Sequence, residues 1–111
     1  MKNTEKLPLF GNNGKTYFFK VYPLKGEYPA KAGVYLFTKR VPAPNAIFTI
    51  VSIGHTDHFS SIHNLYLHES NESDSINTVC LLPMDNADDR LATVAELAER
   101  YGLICNKGAN G

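Results

Sequence analysis

The sequence predicts a single α+β domain in which a small central antiparallel sheet packs in two layers against flanking helices. Three observations carry that expectation. Residues 16–22, 33–39 and 47–53 are short runs dense in aromatic and β-branched side chains, as strands are. Residues 86–101 repeat apolar side chains at steps of three and four, as an amphipathic helix does. With 111 residues, the chain is long enough for one core and too short for two.

Residues 1–15 read as an irregular lead-in, because Pro8 and the turn signal GNNGK interrupt any pattern. The domain proper is then 16–106, followed by a flexible tail, KGANG, at 107–111. TYFFKVY (16–22) is the first expected strand, placed at a sheet edge, and PLKGEYPAKA (23–32) is a long turn. GVYLFTK (33–39) and IFTIVSI (47–53) are expected to be adjacent antiparallel strands joined by a proline-containing loop. Gly54 should end the third strand, and Thr56 or Asp57 should cap a helix carrying Phe59, Ile62 and Leu65 or Tyr66. A polar, acidic loop, ESNESDS (69–75), separates that helix from a further strand, INTVCLL (76–82). In the last helix Asp85 or Asn86 is the expected cap, and Asp88 and Asp89 complement the helix dipole. Its expected buried stripe is Ala87, Leu91, Val94, Ala98 and Tyr101, and Gly102 is a natural left-handed stop.

Charge is balanced overall but segregated along the chain. Residues 1–50 hold eight Lys or Arg against two Asp or Glu, and residues 51–111 hold three against nine. A neutral total gives no general attraction to phosphate, so DNA is not the favoured partner. Lys39 and Arg40 are the candidate nucleic-acid contacts if the basic half does meet one. No run approaches the roughly 20 apolar residues that span a bilayer. Cys80, inside NTVCLL, reads as a buried free thiol, and two cysteines do not make a disulfide scaffold. A cytoplasmic setting is the expectation.

The stretch GHTDHFSSIHNLYLHE (54–69) concentrates all four histidines. His55 and His58 have a ligand-like spacing, but His58, His63 and His68 are five apart and do not share one side of a helix. A zinc cage is therefore not expected here. Ser60 and Ser61 lack the sharp G-x-S-x-G turn of an exposed nucleophile. No glycine pattern matches a phosphate-cradling loop.

The pairing of GVY at 33–35 with SIG at 52–54, the G-x-T that follows, and the closing stretch LATVAELAERYGLICN (91–106) together resemble the GIY-YIG nuclease superfamily. That resemblance implies two triplets on adjacent antiparallel strands and a chemistry of metal-dependent DNA phosphodiester hydrolysis. It also implies a tyrosine in each triplet, an arginine on the next helix, a metal-binding glutamate on the last helix and a final asparagine. Tyr35 and Asn106 match. Ser52 stands at the second tyrosine, Ile62 at the arginine and Val94 at the glutamate. A serine, an isoleucine and a valine cannot do that work.

The expectation is a non-catalytic domain of this shape, a binding or protein-interaction module for a protein partner or for a second copy, with no cofactor. Gly33, Tyr35, Ser52, Gly54, Thr56, His58 and Asn106 would line its vestigial site. The alternative is a divergent endonuclease in which Tyr35, His55 and His63 handle protons and Glu69 binds Mg2+ or Mn2+. For single residues the plain readings stay open: Gly33 and Gly54 permit backbone shapes at strand ends, and Tyr35 packs a helix.

Overall fold

The computed structural model describes residues 5–24, 26–41, 47–67 and 76–105. Among these residues six strands, β1 (Lys6–Phe10), β2 (Thr16–Pro23), β3 (Gly33–Val41), β4 (Ile47–Thr56), β5 (Thr78–Pro83) and β6 (Ile104–Cys105), accompany two α-helices, α1 (Ile62–Leu67) and α2 (Ala87–Tyr101). They form one mixed sheet in the order β1-β2-β5-β3-β4-β6. All neighbours are antiparallel except β4 and β6, which run parallel.

The sheet differs from the small antiparallel one expected, and the topology explains the layering. β4 and β5 are both antiparallel to β3, so the connection through α1 is a crossover over β3. The connection from β5 through α2 to β6 crosses back over β3 and β4. Two crossovers of one hand that travel in opposite directions must use opposite faces of the sheet. The helices accordingly sandwich the sheet, and the two-layer expectation becomes three layers. On one face Val94 and Leu97 of α2 pack against Leu9, Tyr17, Phe19, Val34, Leu36 and Ile53. On the other, Phe59, Ile62 and Leu65 pack against Tyr35, Phe37, Val79 and Leu81. Each such side chain fully withdrawn from water contributes about 1.5–3 kcal/mol.

The sheet is curled. Glu5, just before β1, forms a 3.0 Å ion pair with Arg40 near the end of β3, although β2 and β5 intervene. A bulge deepens the curl at Val51: Phe37 lies opposite Ser52 and Thr38 opposite Ile50, leaving Val51 as the extra residue.

Several sequence expectations are corrected. The lead-in contains β1, whose Leu7 and Leu9 point into the α2 side of the core while Lys6, Pro8 and Phe10 point out. Strand 16–22 is therefore internal, lying between β1 and β5, and β1 is the true edge. That edge is blunted: Pro8 has no N–H to offer, and the Phe10 N–H donates to Tyr101 Oη at 2.7 Å. β4 does not stop at Gly54 but runs through His55 and Thr56, which pair with Val34 and Gly33. In α2 the buried residues are Arg90, Thr93, Val94 and Leu97, whereas Leu91 is 55% exposed and Ala87 is also on the outside. A stripe through Leu97 and one through Leu91 are equally periodic, and Arg90 tips the choice because its guanidinium finds partners inside. The α2 cap is Asn86, whose side chain accepts the Asp89 N–H at 3.0 Å, and Gly102 closes the helix at φ 66°.

Among the described residues no helix is long and apolar enough to cross a membrane. Cys80 and Cys105 are both free, the first buried and the second exposed. His68, Glu69, Asn106 and the 107–111 tail lie outside the described residues.

Candidate functional site

The two triplets lie side by side. Tyr35 is opposite Gly54 and Phe37 opposite Ser52, all on the face covered by α1. Tyr35 is completely buried, with its ring 5.2 Å from that of Phe37. Ser52 and Ile62 are buried on the same side. Val94 is on the other face, packed with Val34, Leu36 and Ile53. A carboxylate at position 94 would thus be separated from Tyr35 by the thickness of the sheet.

The triplet glycines have a packing reason. A Cβ on Gly54 would overlap the Tyr35 hydroxyl and ring, and one on Gly33 would overlap the Leu82 carbonyl and the Phe59 ring. Neither has a positive φ, which among the described glycines belongs to Gly14 and Gly102. Space, not backbone freedom, requires glycine at positions 33 and 54.

The histidines disperse. His58 is the residue that starts the turn before α1, where its Nδ1 accepts the Ser60 N–H at 3.1 Å. It takes the capping place expected of Thr56 or Asp57. Thr56 instead steadies that cap: its hydroxyl lies 2.8 Å from Ser61 Oγ and 3.2 Å from the His58 carbonyl. Ser61 Oγ donates to the same carbonyl at 2.9 Å. His63 points outward and lays its ring 5.4 Å from that of Tyr28. His55, paired with Val34, faces the α2 side. Burial pushes its pKa down, the Arg90 guanidinium pushes it further, and Asp57 opposes both. Tyr35, His55 and His63 therefore occupy three different environments: the core, the α2 side and the outer surface of α1. Among the described residues no three His, Cys, Asp or Glu side chains come together as a metal site.

One polar cluster escaped the sequence reading. Arg90, in the first turns of α2, has a side chain only 4% exposed. Its Nη1 donates to the carbonyls of Met84 (3.2 Å) and Asp85 (2.7 Å), and its Nη2 to Asp57 Oδ1 at 2.7 Å. The cluster sits at the carboxyl ends of β4 and β5, where the two crossovers diverge. It ties the exits of both strands to α2. The one sequence signal was an arginine at a position that the period of Val94 and Leu97 marks as inward.

The basic candidates separate as well. Lys39 is exposed and pairs with Thr49. Arg40 points to the opposite face, held by Glu5 and lying 5.8 Å from the centre of the Phe48 ring. They do not form a joint surface for a phosphate backbone.

Beneath α2 a cleft of about 250 Å3 is lined by Lys15, Tyr17, Met84, Asp89, Thr93 and Glu96. Glu96 accepts from the Asn12 N–H and from Tyr17 Oη (2.8 Å), so it clamps the β1–β2 turn to the helix. These bonds, the Asn12 N–H foremost, hold its carboxyl below the usual range.

Among the described residues, the face left open is that of β1 and β2 on the α1 side. On that side Phe59, Ile62 and Leu65 pack against Tyr35 and Phe37 of β3 and Val79 and Leu81 of β5. Lys6, Pro8 and Phe10 of β1 stand opposite Lys20, Phe18 and Thr16 of β2. Phe10 is 53% and Phe18 57% exposed. Comparison with protein-family models, with curated proteins and with solved structures finds no match to this chain.

Proposed function

We propose that this chain is a non-catalytic, GIY-YIG-like domain that serves as a protein-interaction module, with the open β1–β2 face as its contact surface. The observation that carries the reading is the pair of half-exposed phenylalanines on that face, bordered by lysines. Apolar surface rimmed by polar groups is the signature of a contact site, because covering it with another protein removes it from water. The adjacency of the two triplets supports the family likeness. The absence of catalysis is supported by a Tyr35 that water cannot reach, by apolar packing around Ile62, and by a Val94 on the far side of the sheet. In-line phosphate hydrolysis needs an activated water, a cation on the phosphate and a metal ligand converging on one point.

Two measurements test this reading. Supercoiled plasmid incubated with the protein and Mg2+ or Mn2+ should stay intact; nicking that is lost in Tyr35→Phe or His63→Ala overturns the non-catalytic part. A photo-crosslinking side chain at position 18 should capture protein in cells that express the chain, while the same group at exposed Ser60 should not. Equal capture at both positions, or none at 18, overturns the choice of surface.

A further inference from the structure

We infer that the open β1–β2 face docks the outward face of α2 from a second copy of this chain, head to tail. The inference rests on the protein-interaction reading and names its partner.

The open face has an ordered chemistry. Lys6 lies directly opposite Lys20, followed by the Pro8–Phe18 pair and then by Phe10–Thr16. Like charges placed directly across a sheet repel one another. Among the described residues neither lysine has a carboxylate within ion-pair distance, and neither β1 nor β2 contains an acidic residue. The face therefore suits a partner with a carboxylate at one end and small apolar groups along the rest.

The outward side of α2 is such a partner. Asp88, Leu91, Ala92, Ala95 and Glu99 are all exposed and lie along one stripe of the helix, with Leu91 55% exposed. Along the helix, Leu91 is ~4.5 Å and Ala95 ~10.5 Å beyond Asp88 at 1.5 Å per residue. Along the strand, Pro8 is ~7 Å and Phe10 ~13 Å beyond Lys6. With Asp88 between the two lysines, Leu91 reaches Pro8 and Phe18, Ala95 comes alongside Phe10, and Glu99, ~16.5 Å beyond Asp88, passes the end of β1 into solvent. The alanines let the helix approach the rings closely.

α2 covers one face of the sheet and the docking surface belongs to the other, so the two surfaces point away from each other. Such a contact is heterologous: each copy keeps one surface free, and the assembly can propagate. One helix stripe on a two-stranded ribbon is smaller than the roughly 800 Å2 per partner of a standard interface, so the association is weak. Because its charge pairs are exposed, salt weakens it. A single-stranded nucleic acid is the competing occupant, but it requires cations spaced along its track. Here both lysines sit at one end.

Sedimentation velocity over a concentration series at low salt tests the inference. The wild type should shift to larger species as concentration rises, and about 0.5 M salt should reverse the shift. Phe18→Ser and Leu91→Ser, both at exposed positions, should each sediment as monomers. An equimolar mixture of the two should form a heterodimer and stop there, since each variant retains one intact surface. A wild type that stays monomeric overturns the inference, as does a mixture that stays monomeric or a Phe18→Ser that still self-associates. Tighter binding of an oligothymidylate probe than of a second copy, lost in Lys6→Glu/Lys20→Glu, also overturns it. If crosslinking at position 18 captures other proteins while the chain remains monomeric, the second copy is wrong and the interaction module stands.

Discussion

Replacing Arg90 by alanine should destabilise the domain far more than removing its ion-pair partner. The side chain is 4% exposed, while that of Asp57 is 95% exposed. Arg90→Ala strips two buried methylenes, worth about 1.6 kcal/mol at roughly 0.8 kcal/mol each. It also takes the donor from the Met84 and Asp85 carbonyls, which adds about 1–2 kcal/mol for groups left unpaired. The sum is about 2.5–3.5 kcal/mol, a fall in Tm of ~10 °C or more for a domain of this size. Asp57→Ala leaves the carbonyl bonds and the stem in place, and water can replace the carboxylate at the surface. That loss should stay within about 1 kcal/mol, as for exposed pairs. Arg90→Met should fall between the two, since it keeps the packing and relieves the guanidinium of its desolvation cost. Urea denaturation followed by circular dichroism measures all three through their midpoints. Equal losses in Arg90→Ala and Asp57→Ala would refute the reasoning, by showing that the ion pair and not the carbonyl bonds and buried stem secures α2.

Gly54→Ala should cost about 3 kcal/mol or prevent folding, because its Cβ would overlap the fully buried Tyr35; a Gly54→Ala/Tyr35→Phe double variant should recover part of the loss in the same denaturation assay. Burial pushes the Cys80 thiol up to about 12, so in the native protein a thiol reagent should titrate Cys105 alone, and Cys105→Ser should abolish the fast reaction. Folding should weaken in acid in two stages. His55 has a lowered pKa, so the unfolded chain takes up its proton first, and stability falls as pH drops below about 6.5 toward the folded value; His55→Asn should flatten that part of the profile. Glu96 is also depressed, so its contribution is present above about 4.5 and lost as pH falls through its folded pKa, a slope that Glu96→Gln should remove.

The local elements were legible in the residues because short-range physics sets them. Aromatic and β-branched runs made β2, β3, β4 and β5, the Asn86 cap and Gly102 stop bounded α2, and the buried thiol of Cys80 followed from its apolar neighbours. The adjacency of β3 and β4 was likewise legible, since the loop between them is short. What only the tertiary structure decided is how these pieces face one another. β1 looked irregular because an edge strand with Pro8 at its centre carries little pattern of its own, and it gains its partner only from β2. The rotation of α2 was ambiguous between two apolar stripes until Arg90 found the carbonyls of residues 84–85 and the carboxylate of Asp57. The side of the sheet on which Val94 lies, opposite Tyr35, follows from two crossovers travelling in opposite directions. No count along a chain contains that fact, because a strand's faces are assigned by what packs on them.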